Sequence, residues 1–371
     1  MWNARRLLPT ARPSPERDPF LDNARYFVML LVVAGHTMAP LTWMGGVLAG
    51  YMWLYSFHMP LFVMLSGYTA RSYAGRPHQV RRMVATLVIP YVLVHTALAA
   101  QNDIMKDRPL FTGFDLLTPK WLVWYVAALF LWRLTTPIWT HLRRPIVVSV
   151  LISLATGLAS IPYPSLFGIA KVLGFLPFYV IGLHLHRRHF DTLTRSWVRA
   201  VALAALALAL VAFWFGHSGW QEDWFYYEDS YARLGVGDLE GLLVRGGILA
   251  LGVVLAFAAL AWVPQRRAWF SALGERTLYC YLLHGFLVRY ARLEGWIQDV
   301  SAYGLLGAAL VVGLCFAAGT LLMTSPVRRL FRPLFESDLR WLFRDVVPAA
   351  TRPDHGDPAA GARRRPVTRG G

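Results

Sequence analysis

Apolar runs close to twenty residues long recur along the chain, each ended by a short polar or arginine-bearing stretch. They lie near 26–43, 47–67, 83–100, 120–137, 145–161, 166–186, 198–216, 242–263, 268–288 and 303–323. A hydrocarbon core about 30 Å thick is crossed by about 20 helical residues, so the pattern predicts an all-α polytopic membrane protein of about ten transmembrane helices. Arg71, Arg76, Arg81 and Arg82 follow the second run, Arg143 and Arg144 the fourth, Arg187, Arg188, Arg195 and Arg199 the sixth, and Arg266 and Arg267 the eighth. If the runs alternate in direction, every cluster falls on one side, together with the arginine-bearing start of the chain and Arg328, Arg329 and Arg332. The excess of arginine marks that side as cytoplasmic and sets both termini there. Opposite loops differ: 41–46 has no charge and 217–241 is acidic.

Composition agrees. Of 371 residues, 56% are hydrophobic and 16% charged, with a mean hydropathy of +0.42, too few charges to coat a soluble globule. The formal charge of +16 sits in clusters between apolar runs, an orientation signal and not a nucleic-acid surface. Cys280 and Cys315 fall inside apolar runs, which supports neither a disulfide framework nor a zinc site. Three parts are expected: a cytoplasmic segment over 1–20, a membrane domain over 21–335, and a tail over 336–371 that is disordered at its Pro-, Gly- and Arg-rich end. No small-residue cleavage site follows the first run, so that run is expected to stay in the mature protein.

Ionisable residues inside the spans are the candidates for chemistry, because they are costly there and face the bundle interior. His36 lies eleven residues after Arg25, three turns along one helix face, near the middle of the bilayer. Asp22 precedes Arg25 by three and can pair with it at the cytoplasmic mouth. His58 reaches a similar depth on the second, antiparallel span, where Pro60 is expected to introduce a kink, and His284 is a third intramembrane histidine, nearer the outer half of the ninth. A neutral imidazole accepts a proton near neutral pH, and an attacking hydroxyl needs such a base. Arg81 and Arg82 offer guanidinium groups to a phosphate-bearing donor. Ser66, Trp124, Tyr125 and Glu275 are further candidates for substrate contact. Trp220, Trp224, Phe225, Tyr226, Tyr227 and Tyr231 interleave with acidic residues in the loop 217–241, where interfacial anchoring competes with carbohydrate binding. Haem ligation by histidine pairs is a weaker reading, since no span carries a paired cofactor spacing. A proton-coupled transporter or flippase for a polar lipid or sugar would use the same buried histidines, although no inverted pair of broken segments is evident.

Phe20-Leu21-Asp22-Asn23-Ala24-Arg25, ten intervening residues up to His36, then Phe57-His58-Met59-Pro60-Leu61-Phe62 through Gly67 together resemble acyltransferase family 3, most closely its fucose 4-O-acetylase-like branch. Trp121 to Trp132, Leu176 to Gly182 and Ser271 to His284 are similar to later family segments, so the likeness spans about residues 17 to 335. It implies an integral membrane enzyme of ten core helices that moves an acyl group, commonly acetyl from acetyl-CoA, to a hydroxyl of a carbohydrate or small molecule, with acetyl-CoA as co-substrate and no bound cofactor; the bias to arginine, 34 of 37 basic residues, points separately to a bacterial source, where such a protein is expected in the plasma membrane. The likeness also implies that His36 is the catalytic histidine and Arg25 its partner. Relatives often carry a second spaced arginine motif at the start of the third span; here Arg81-Arg82 is followed by Met83-Val84-Ala85-Thr86.

Overall fold

The computed structural model describes residues 18–119, 121–162 and 165–336. Most of the expected N-terminal segment, and all of the expected tail beyond Glu336, lie outside the described residues. Among those described, every regular element is helical. Seven helical stretches are long and apolar enough to cross a membrane: Pro19–Leu41, Gly45–Ala70, Pro77–Met105, Trp121–His141, Ser196–Gly219, Asp238–Ala261 and Gly304–Leu322. They fall on the first four, the seventh, the eighth and the tenth of the expected runs.

Helix α1 (Pro19–Met38) starts where Asp18 accepts the Phe20 N–H at 3.0 Å and Pro19 fills the first turn, a cap that satisfies an otherwise orphaned donor. The second span is two helices, α2 (Gly45–Tyr55) and α3 (His58–Ala70). Its break falls at Ser56–Phe57, just before His58, and Pro60 occupies the first turn of α3, where its missing N–H leaves no bond unmade. The third span joins α4 (Pro77–Met83) to α5 (Ile89–Met105) through a π-helical stretch, Val84–Val88, next to Pro90, which cannot donate to the ladder.

The remaining expected runs take other forms. Helix α6 (Trp124–His141) is followed by the short apolar α7 (Pro145–Leu158). The sixth run is a pair, α8 (Ile169–Gly174) and α9 (Leu176–His184), whose two limbs bend by 60°. Gly174 lies at this bend against Tyr227, where a Cβ would meet the Tyr227 Cβ at 2.5 Å. After α10 (Arg187–Thr192) come the long α11 (Ser196–Gly216) and α12 (Asp238–Ala261). The ninth run is displaced toward the C-terminus: α13 (Ser271–Gly274) stops short of Glu275-Arg276, and α14 covers Thr277–Leu293. Helices α15 (Trp296–Ser301), α16 (Gly304–Leu322) and α17 (Ser325–Phe335) are the last among the described residues.

Close approach of α3 and α9 holds the centre together. Gly67 and Gly182 face each other's backbones, so that a Cβ on either would lie 2.1 Å from a carbonyl oxygen, of Tyr179 and Met64 respectively. Small residues at such crossings let helices gain dispersion contact where no hydrophobic drive exists between lipid-embedded surfaces. The aromatic loop after α11 packs into the helical bundle through most of its rings. Trp224, Phe225, Tyr227 and Tyr231 are buried. Tyr231 inserts where Gly157 and Gly241 leave room, donating its hydroxyl to the Leu154 carbonyl at 2.8 Å and its N–H to Gly157 O at 2.7 Å. Arg245, 1% exposed inside α12, ties the loop down by donating to Asp229 O at 2.7 Å.

Candidate active site

Three imidazoles gather at mid-depth. His36, half-buried on α1, lies with its ring centroid 5.4 Å from that of His284 and 5.3 Å from Trp121. Gly35 precedes it, and a Cβ there would stand 3.0 Å from the Tyr55 ring and 3.5 Å from His58 Nε2; the missing side chain is what lets His58 close on α1. The His58 ring in turn packs edge-on against Tyr55 at 4.5 Å.

The tautomers of the two wall histidines follow from their partners. His58 Nδ1 is 2.9 Å from Leu54 O, and His284 Nδ1 is 2.9 Å from Cys280 O. A carbonyl only accepts, so each Nδ1 carries hydrogen and each Nε2 presents a lone pair while the ring is neutral. The Nε2 of His284 is buried and has no hydrogen-bond partner, an uncommon condition for an interior polar atom. Two locked acceptors therefore flank a less buried third imidazole.

Trp121 has φ +56°, a left-handed conformation that is an outlier for a bulky residue. It holds the indole between His36 on one side and a polar pocket of about 150 Å³ on the other, lined by Asn102, Asp103, Asp115 and Arg289, with Arg289 stacked over the indole at 4.9 Å. On the opposite flank, His284 borders an apolar cavity of about 440 Å³. His36 thus reaches each space through one ring.

The loop meets the site through tyrosines. Tyr226 shares a hydrogen bond of 2.7 Å with Tyr51 and packs against Tyr55. Lys171 pairs with Glu228 at 3.0 Å and lies over the Trp124 ring. Burial raises the carboxyls of Glu222, Asp223 and Glu228 above their ordinary range, with Lys171 opposing at Glu228. Trp124 is stacked on Phe175, within this aromatic wall.

Ser66 and Tyr125 share a hydrogen bond of 2.5 Å and line a smaller cavity with Thr86, Thr277 and Tyr281. Tyr281 donates to the Leu122 carbonyl. Asp22 and Arg25 do pair, Oδ1 to Nη1 at 2.9 Å, but eleven residues of α1 keep them roughly 16 Å along the axis from His36. They form a separate station at the helix start. Glu275 stands there too: a Cβ on its neighbour Gly274 would meet Asp22 O at 1.8 Å, so the two backbones touch. Arg81 is half-buried and Arg82 exposed at the end of α4.

Sequence reasoning passed over Arg133, Tyr55, Lys171 and Arg289. Arg133 lies within α6; its Nε is buried with no hydrogen-bond partner, and Tyr125, Tyr179, Tyr73 and Arg82 are the groups that act on it. A lone arginine inside an apolar run was the available signal. Among the described residues, no group of three or more His, Cys, Asp or Glu forms a metal site.

A family comparison matches residues 18–322 to the Acyltransferase domain of family 3. The chain belongs to that family, and it is an acyltransferase enzyme. It is also 24% identical over 334 residues to Nodulation protein NolL of Mesorhizobium japonicum, covering 80% of this chain and 85% of that protein. No solved structure matches the chain. Family membership and the helical build together make it a membrane acyltransferase, as its sequence motifs lead one to expect.

Proposed function

We propose that this enzyme is an O-acyltransferase of the cell membrane, moving an acyl group, acetyl in the simplest case, from acyl-CoA to a hydroxyl of a carbohydrate or other small polar acceptor. The observation that carries this reading is the half-buried His36 ring set against Trp121 and His284, in a chain matched over most of its length by an acyltransferase family. His36 takes the proton from the acceptor hydroxyl as the oxygen attacks the thioester carbonyl. The carbon–sulfur bond breaks, and the proton passes to the departing thiolate, leaving an ester and free CoA. The lone pairs on His58 and His284 Nε2 stabilise the imidazolium that forms between these steps.

Both termini and the arginine-rich loops face the cytoplasm in this reading, so the donor enters from that side. Its phosphates meet Arg81, Arg82 and Arg133, and the Asp22–Arg25 pair with Glu275 frames the mouth. The pantetheine arm runs past Ser66 and Tyr125 toward His36. A polar acceptor suits the pocket behind Trp121, where carboxylates, an amide and an indole face offer the contacts that sugars use; Trp124 belongs to the adjoining aromatic wall.

The test is thiol release from acetyl-CoA by detergent-purified protein, supplied with glycans and lipids extracted from its host. His36→Ala is expected to slow turnover by about 10²–10⁴-fold while the protein stays folded. Turnover at the normal rate would remove His36 as the base.

A further inference from the structure

The largest apolar space beside the histidine centre runs between α14, α15 and α16. It holds about 440 Å³ and is walled by Leu287, Val288, Val311, Leu314 and Ala318, with His284 among its lining residues. His284 is 1% exposed, and its Nε2 is covered by neighbouring atoms yet has no hydrogen-bond partner. An unpartnered polar atom in a residue that borders an apolar space is unexplained by packing alone. A substrate that places a polar head at the imidazole and a hydrocarbon tail in the cavity accounts for both features.

We propose that this cavity is an acyl-chain subsite, receiving the tail of a donor whose acyl group is longer than acetyl. The proposal rests on the acyltransferase reading above and deepens it. Two observations favour a donor chain over the tail of a lipid-borne acceptor. The His284 ring is 5.4 Å from His36, so a chain leaving the cavity at His284 begins at the reacting carbon. In an acyl thioester the first methylene is bonded to that carbon, whereas in a glycolipid a sugar separates the tail from the reacting hydroxyl. The cavity also opens at the outer surface, since its lining residues Leu287 and Leu314 are 49% and 59% exposed, which leaves room for a long chain. The chemistry is unchanged: the C–S bond of the acyl-CoA breaks, a C–O bond forms, and the hydroxyl proton leaves with the thiol by way of His36.

The experiment uses the full chain in lipid nanodiscs with acetyl-, butyryl-, hexanoyl- and octanoyl-CoA, reading CoA release against the same host extract. The ratio of kcat/KM for hexanoyl-CoA to that for acetyl-CoA is expected to exceed about ten, since each buried methylene contributes severalfold. Ala318→Phe and Leu314→Trp, which fill the cavity, are expected to bring the ratio close to one. Because a ratio is taken on one preparation, partial loss of folded protein does not move it. In parallel, an octanoyl-CoA carrying a terminal diazirine is expected to label α14–α16. A wild-type ratio near one, or equal loss with every donor in the variants, or labelling elsewhere, overturns the proposal; equal loss points to an acceptor tail in the cavity. Acetyl-CoA turnover continuing in those cases leaves the acyltransferase reading intact, whereas absence of CoA release from every donor removes both.

Discussion

Asn23 and His36 sit on the same helix, three and a half turns apart, and their polar atoms are treated in opposite ways. Asn23, fully buried, donates to Pro264 O at 2.8 Å and Arg266 O at 2.9 Å and accepts from Ser271 Oγ at 2.6 Å. Every hydrogen bond goes to protein, and the residue fastens the loop before α13 to the start of α1. Around His36, the neighbouring His284 keeps a buried nitrogen with no partner. Saturated polar groups in a low-dielectric interior rigidify a fold; unsaturated ones are retained at a cost, and function is the usual reason. Two stretches of one sequence motif thus divide between scaffold and chemistry.

The sharpest way to break that contrast is to exchange the outcomes. His36→Ala is expected to abolish most transfer with little change in stability. Asn23→Ala should do the reverse. It removes the donor to the Pro264 and Arg266 carbonyls, whose residues are exposed enough for water to substitute, and leaves the buried Ser271 hydroxyl without its acceptor; a buried group left unpaired costs about 1–3 kcal/mol, so a loss of about 2 kcal/mol is expected. Unfolding of the purified protein in mixed detergent reads the stability, and CoA release per folded molecule should stay near normal. If Asn23→Ala is as stable as the parent but inactive, the division fails.

Arg133 offers an intermediate case, because the residue is half-buried while its Nε is buried and lacks a hydrogen-bond partner, as the Nε2 of His284 does. Arg133→Gln is expected to raise KM for acetyl-CoA by about 10–100-fold, or about 1.4–2.8 kcal/mol, with a smaller change in kcat. Acetyl-pantetheine, which lacks the nucleotide phosphates, should show almost no difference between parent and variant. An equal loss with both donors would make Arg133 structural and remove it from the donor path.

Much of this arrangement was legible in the residues. The first four spans fall on long apolar runs with arginine at one end of each, and the two histidine motifs sit on helices whose depth follows from counting. Other features were hidden by the same arithmetic. Gly174 and Pro177 lie inside a run that reads as continuous, yet Gly174 is pressed against Tyr227 and the two limbs bend by 60°. Arg133 and Arg245 vanish into the hydropathy average of their helices, although each is the charged group its surroundings are built around. The loop 217–241 has the composition of an interfacial belt, and only tertiary structure shows that Gly157 and Gly241 open the space Tyr231 fills. Periodicity reports which face is apolar; it carries no record of which small residue admits a distant aromatic ring.

The weakest expected effect lies at the C-terminal end of the described residues, where Glu336 anchors α17. Its carboxylate accepts from Tyr279 Oη at 2.7 Å and from Arg328 Nε and Nη2 at 3.0 and 3.1 Å. The Arg328 hydrogen bonds hold its pKa below the ordinary value of 4.5. A carboxyl lowered on folding stabilises the native state above its unfolded pKa, and that contribution fades as pH falls through the folded value. Docking of α17 should therefore be constant from neutral pH down to about 4.5 and weaken below it. The pair is partly exposed, with side chains 43% and 30% accessible, so solvent screening limits it to about 0.5–1 kcal/mol. Protease sensitivity of α17, compared between the parent and Glu336→Gln across pH, isolates this pair from other carboxyls that titrate. The two curves should differ at neutral pH and converge in acid. A difference that grows as pH falls would mean that Glu336 does not hold the helix as an anion, and this polar cluster would then fall on the unsaturated side of the comparison.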